Sequence, residues 1–367
     1  MLLYIENIFM KHSLLVILLF SFSFANAQKD TVVEEEIDFS LYENATPATN
    51  IKTYCTSKVL GLSPNKLISV GYDYQSAHNM ESHDEYATSG DIKHGTADLS
   101  GSGGLRLAAN FPIISNTKLL VNLGVSYLQN QYLINSFTSN NYVIRNLTNE
   151  GLSSTGFNTT VFKPLNDKHF IFAFGSADAN GNYSFGSSNL IDQLLKPKIT
   201  IATLYGIKRN DRSMIAFGAS RTYRPGALGY IPLILFNHTF VNRKWGIEAL
   251  FPARLAVRRS FNARNLLLVG YELEGNSYSI LNTNGSTASP YNDLELRRSE
   301  IRARVTYEKL LTGFIWLTVQ AGYRINYNFN IDKGDNVRLL GNKDAYYIEN
   351  HLTNPLYFNV GIHLVSP

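Results

Sequence analysis

From Lys118 to Tyr132 apolar and polar residues take turns along the chain. Leu119, Val121, Leu123, Val125 and Tyr127 share one face; Asn122, Gly124, Ser126 and Asn130 share the other with Leu120 and Leu128. A period of two marks a strand. Ile315, Leu317, Val319, Ala321, Tyr323, Ile325, Tyr327 and Phe329 repeat it against Thr318, Gln320, Gly322, Arg324, Asn326 and Asn328. Leu356, Phe358, Val360, Ile362 and Leu364 do so against Tyr357, Asn359, Gly361 and His363. Similar stretches lie near 67–76, 97–111, 155–163, 169–178, 198–208, 213–223, 230–240, 245–250, 254–261, 266–277 and 294–308. Helical spacing fits none of them as well. The pattern predicts an all-β chain of fourteen strands, or twelve if the weak pair 245–250 and 254–261 around Pro252 is dropped.

The connections alternate as well. Short turns fall at Pro112–Thr117, Pro164–Lys168, Arg209–Arg212, Val241–Lys244, Asn262–Asn265 and Lys309–Gly313. Longer polar stretches at 77–96, 133–152, 180–196, 278–293 and 331–354 lie between them. Short turns at one end and long loops at the other, with an even strand number, predict a transmembrane antiparallel up-and-down β-barrel with both chain ends on the short-turn side. Face composition separates this from a β-sandwich, whose outer face carries charges. Here only 17% of residues are charged, and the face opposite the apolar one is mostly Asn, Ser, Thr and Gly. Tyr72, Tyr74, Phe111, Tyr127, Tyr223, Tyr230, Phe261 and Tyr307 near strand ends fit aromatic girdles.

The N-terminus points to export. From Met10, the expected start, it reads a basic Lys11, an apolar core from Leu14 to Phe24, then Ala25-Asn26-Ala27. That order is a signal peptide over 1–27, with the mature chain beginning at Gln28. The segment 28–65 is a periplasmic tail or a plug; Glu34–Glu36 favours the tail, because clustered glutamates prefer water. The barrel is expected over 66–367. Beyond the N-terminus no apolar run approaches the roughly 20 residues of a membrane helix. Lysine plus arginine (33) exceeds aspartate plus glutamate (29) without a basic run, which argues against a nucleic-acid partner. The single cysteine, Cys55, excludes a disulfide framework.

The signal peptide, the acidic lead-in Glu34–Glu36, the alternating strands and the final strand resemble the outer-membrane β-barrels of Gram-negative bacteria. Within that class, Thr56-Ser57-Lys58-Val59-Leu60-Gly61-Leu62, Lys66-Leu67-Ile68-Ser69-Val70-Gly71-Tyr72, Phe251-Pro252-Ala253-Arg254 and Gly270-Tyr271-Glu272-Leu273-Glu274-Gly275-Asn276 look like an uncharacterised porin-like family. The resemblance covers roughly 56–367 and implies the cell outer membrane, lipid around the barrel and barrel-assembly machinery reading the C-terminal strand. The resemblance supplies no reaction or ligand. The expected role is a passive channel or transporter for small solutes, with a receptor, adhesin or structural barrel using the long loops as the alternative, and with no second compact region in the chain no cofactor is expected. The chain departs from the class at its end: such barrels commonly finish on an aromatic residue, and this one finishes Leu364-Val365-Ser366-Pro367.

Candidate chemistry is mainly ionic. Strand parity puts Arg254 and Arg258 on one face; Glu272 and Glu274 on one face of the next strand; Glu300, Arg302, Arg304 and Glu308 on the following one; and Arg324 on the penultimate strand. An Arg facing lipid at mid-depth costs about 2–4 kcal/mol, so these nine should point inward as a mixed-sign cluster. Two readings follow: a constriction selecting permeants by charge, or an ionic network filling a narrow interior. His78, Glu81, His83, Asp84 and Glu85, with His94 beyond, supply ligand types for a divalent metal, but at no defined motif spacing, and a solvated loop is the expectation. Gly101-Ser102-Gly103-Gly104 lacks the residues that complete a phosphate loop. A hydrolase is the rival class, yet no nucleophile stands beside a recognisable base and no GxSxG occurs, so no catalytic residue is assigned.

Overall fold

The computed structural model describes residues 53–85, 93–138, 142–149, 151–184, 191, 194, 196–280, 294–333 and 346–365. The signal-peptide region lies outside the described residues. The strands are β1 (Lys66–Gln75), β2 (His78–Asp84), β3 (His94–Asn116), β4 (Leu119–Phe137), β5 (Leu152–Pro164), β6 (His169–Gly181), β7 (Lys198–Asn210) and β8 (Ser213–Thr222). They continue as β9 (Gly229–Thr239), β10 (Trp245–Phe251), β11 (Arg254–Asn262), β12 (Asn265–Ile280), β13 (Leu294–Thr312), β14 (Ile315–Lys333), β15 (Ile348–Leu352) and β16 (Leu356–Val365). One helix, α1 (Tyr142–Asn149), lies between β4 and β5.

Successive strands from β2 to β14 pair antiparallel, and β14 pairs with both β15 and β16. β2 continues β1, and β15 leads into β16, so the sixteen segments form fourteen staves. Closure comes from β1 against β16, with Tyr72 opposite Val360, and from β1 against β3, with Tyr72 opposite Leu105. The alternation decides which side faces out. Val70, Tyr72, Leu123, Val125, Ile201, Phe217, Val305, Val360 and Ile362 all point outward with 43–56% of their surface exposed. Their polar strand neighbours point inward.

The lower half of the interior, at the short-turn end, holds residues 53–65. The Cys55 amide donates to the Asn166 carbonyl at 2.9 Å, and the Leu60 amide to that of Asp211 at 2.8 Å. Lys208 Nζ reaches Thr56 Oγ1 at 2.7 Å and the Lys58 carbonyl at 2.8 Å. Cys55, Val59 and Leu62 pack on an apolar inner wall that includes Phe162, Phe170, Leu204 and Met214. At the opposite end Met80, Leu99, Tyr132, Tyr278, Leu296, Phe329 and Ile331 form a dry core with Val143, Ile144 and Leu147 of α1.

Four local expectations change. His78–Asp84 is a strand, not a loop, because Met80, Ser82 and Asp84 turn inward and pair with β3 and β15. Phe329 was expected on the outer face; a bulge opposite Ser299–Glu300 shifts the parity of β14 and buries it in the upper core. The stretch 133–152 contains the end of β4 and α1. The turn between β10 and β11 is short yet lies at the long-loop end, an exception to the regular alternation.

Candidate functional site

Beneath the upper core runs a layer of ions. β13 places Arg298, Glu300 and Arg302 two residues apart on its inner face, and β12 adds Glu274 opposite Glu300. Arg302 Nη1 meets Glu274 Oε2 at 2.5 Å, and its Nε meets Glu300 Oε1 at 2.7 Å. Arg298 Nη2 reaches Glu300 Oε2 at 3.0 Å. Barrel closure brings in two further groups: Asp73 of β1 and Arg106 of β3, paired at 2.5 Å, with Arg106 also 2.7 Å from Glu274. Arg324 of β14 stands 3.5 Å from both Asp73 and Glu300. The guanidinium carbons of Arg302 and Arg324 lie 5.3 and 5.0 Å from the ring centre of buried Tyr357. Four guanidiniums thus face three carboxylates, and Arg324 Nε and Nη1 are buried without a hydrogen-bond partner.

The other predicted charges sit lower or at the rim. Arg304 Nη1 pairs with Glu272 at 2.6 Å, with side chains 23% and 27% exposed. Glu308 pairs with Lys66 at 2.7 Å. Arg258, fully buried, bonds Glu248 at 2.9 Å and Thr239 at 2.9 Å, and Thr239 in turn holds the Leu60 carbonyl at 2.6 Å. Arg254 is exposed at the β10–β11 turn, in register with Glu272. One cluster in sequence terms is therefore several levels in space. Asp73, Arg106 and Arg298 were missed. Asp73, between Tyr72 and Tyr74, and Arg106, between Leu105 and Leu107, are lone inward charges between apolar neighbours, and only closure of the barrel joins their strands to the last ones; Arg298 sits in a run of buried polar residues, Arg297 to Glu300, where alternation gives no signal.

Two further contacts involve histidines. Ser69 Oγ and His363 Nδ1 lie 2.8 Å apart inside the barrel. His363 Nε2 is buried with no hydrogen-bond partner, so no carboxylate orients the ring as a catalytic triad requires. His83 and His94 face each other across β2 and β3 with Nδ1 atoms 3.0 Å apart, and His83 Nε2 is 2.9 Å from Glu85. Among the described residues no group of three or more His, Cys, Asp or Glu side chains could hold a metal ion. A cavity of about 450 Å³ opens at the short-turn rim beside Leu62, Pro64, Arg243, Phe261 and Trp316.

No protein-family model matches the chain, and no curated protein does. Among solved structures it is similar to an outer-membrane channel from Pseudomonas putida F1, at 13% identity and a TM-score of 0.35, over 83% of this chain and 97% of that one. A FadL homologue from Pseudomonas aeruginosa is similar at 9% identity and a TM-score of 0.39, over 82% and 90%. The outer membrane protease OmpT from Escherichia coli follows at 8% identity and 0.29, over 84% and 100%. Channel and protease share this level of likeness, so it assigns no role. The setting is decided by the barrel's own two faces. An apolar skin this extensive needs lipid around it, and only a closed barrel or a helix satisfies its backbone there. The chain is an integral outer-membrane β-barrel. No helix among the described residues is long and apolar enough to cross a membrane.

Proposed function

We propose that the barrel is a conduit for small solutes, and that Arg254, Arg258, Glu272, Glu274, Glu300, Arg302, Arg304, Glu308 and Arg324 set the charge character of its interior. The observation that carries this reading is water access at mid-height. Glu272 and Arg304 keep 27% and 23% of their side-chain surface exposed inside the apolar skin. A barrel filled for stability alone would bury these ions fully or replace them with packed apolar groups, since buried pairs contribute little net stability. The interior is also two-sided. Phe172, Phe174, Ile231 and Leu235 are only partly buried on the β6–β9 wall, opposite the ionic wall of β12–β14. Such a lumen suits solutes with both polar and apolar surface. A liposome-swelling assay tests the reading: liposomes carrying the protein should swell faster than empty ones in at least one small sugar, amino acid or organic acid. Equal rates across that panel would refute it.

A further inference from the structure

The wall does not keep fourteen staves to the top. At the long-loop end Ile280 pairs with Leu294, Leu296 with Ile331, Ile331 with Ile348, and Ile348 with Asp84. The ring continues from His83 to His94, from Ala97 to Phe137, from Asn130 to Leu152 and from Ser153 to Gly181. It closes where Gly181 of β6 meets Ser279 of β12 in parallel. Nine staves form this upper ring, and the dry core fills it. The five staves β7–β11 end outside it, so among the described residues a path from the lower lumen to the long-loop end runs beside the ring and not through its core.

The same geometry leaves a gap in the side. β10 has 7 residues and β11 has 9. At ~3.3 Å per residue and ~40° tilt, 7 residues rise roughly 18 Å, short of an apolar band of about 25 Å. Above their turn, β12 has no stave on that side from Glu274 to Tyr278, until β6 meets it at Ser279. Among the described residues, 223–228, between β8 and β9, cover the gap. The Arg224 carbonyl lies so close to Gly275 that a Cβ there would sit 2.3 Å from it. Gly226, at φ +83°, lies where its own Cβ would come 2.5 Å from Ser299 Oγ. Arg297 Nη1 donates to the Gly226 carbonyl at a long 3.3 Å.

Behind the cover, Arg297 is 1% exposed. Its Nε is held by both oxygens of Asp332 at 2.7 Å, and its Nη2 is buried with no hydrogen-bond partner. Lys198, ion-paired to Glu295, stands beside it on the inner face of β7. If the cover lifts, Nη1 and Nη2 together present two parallel donors, the geometry that a carboxylate or phosphate accepts best. The Gly226 carbonyl then occupies the place of one ligand oxygen.

We infer that the lower lumen opens sideways, through the wall above the β10–β11 turn and behind residues 223–228, and that it admits single-tailed amphiphiles with an anionic head. The head lies on Arg297 and the tail along Phe172, Phe174 and Ile231. The inference rests on the conduit reading and names its route and solute class. The test uses 11-(dansylamino)undecanoate fluorescence with the full barrel in detergent. Dodecanoate or dodecyl phosphate should displace the probe, and Arg297→Lys, which keeps the charge toward Asp332 but loses the paired donors, should weaken probe binding at least tenfold. In liposomes of the Cys55→Ser background, a bilayer-dissolved dodecylmaleimide should label the Ser299→Cys variant at least tenfold faster than an Ala97→Cys variant in the upper core. Displacement of the probe by dodecyltrimethylammonium as readily as by the anions, no effect of Arg297→Lys, or equal labelling of the two thiols would overturn the route. Swelling with small hydrophilic solutes separates the two claims: if it persists while these tests fail, the conduit stands and the side route falls.

Discussion

Replacing Glu300 by Gln removes one charge from the centre of the ionic layer while keeping its shape. Glu300 is 1% exposed and touches Arg302 at 2.7 Å, Arg298 at 3.0 Å and Arg324 at 3.5 Å. The layer then has four guanidiniums against two carboxylates, Asp73 and Glu274, and Arg298 loses the carboxylate it bonds. Breaking a buried pair from one side costs about 3–5 kcal/mol, because the remaining charge is left desolvated. Glu272→Gln is the matched control. Its partner Arg304 and its own side chain are about a quarter exposed, so water takes over and the cost falls to about 0–1 kcal/mol. Urea titration of the folded barrel in lipid vesicles, followed by the gel shift between folded and boiled forms, measures both. Glu300→Gln should lose at least about 2 kcal/mol more than Glu272→Gln, a factor of roughly 30 in the folding equilibrium. Equal losses for the two variants would refute the distinction between a dry layer and a wet lumen beneath it.

Three further outcomes follow from the same geometry. Thiols introduced at Val121, Leu317 or Phe358 should react only with lipid-soluble reagents, while Asn122→Cys and Gln320→Cys variants should react with small hydrophilic ones; the reverse pattern would mean an apolar interior. Burial pushes the Cys55 thiol above its ordinary range, so little thiolate exists at neutral pH and alkylation should be slow; Lys208→Met frees Thr56 and Lys58 but also removes a charge that favours the thiolate, so alkylation compared at a pH high enough to ionise the thiol in both forms should speed at least tenfold, and an unchanged rate there would mean Lys208 does not hold the segment. A fluorophosphonate probe should leave Ser69 unmodified despite its 2.8 Å contact with His363, and covalent labelling there would move the protein into the hydrolases.

Alternation carried the fold because each outward residue must meet lipid and each inward one must not, so the parity of a single strand is legible on its own. That is why Val121 and Asn122, or Phe358 and Asn359, fall on the sides their spacing predicts. What it could not carry was anything that depends on closure. Asp73 and Arg106 read as isolated charges until β1 meets β16 and β3. Phe329 was misplaced because a bulge changes parity without changing composition. The narrowing to nine staves was illegible for the same reason: it hangs on one parallel contact, Ser279 with Gly181, between strands nearly a hundred residues apart. The short β10–β11 pair looked weak in the sequence, and its shortness is what leaves the wall low on that side.

Whether water and solutes reach the charged interior is read by single-channel recording of the refolded full chain in planar bilayers under a salt gradient. Conductance steps above the bare bilayer are expected, with a reversal potential that shifts on Arg304→Gln because Arg304 lies in the wet part of the lumen. Silence in both forms, together with no solute-driven swelling of liposomes, would contradict the conduit reading.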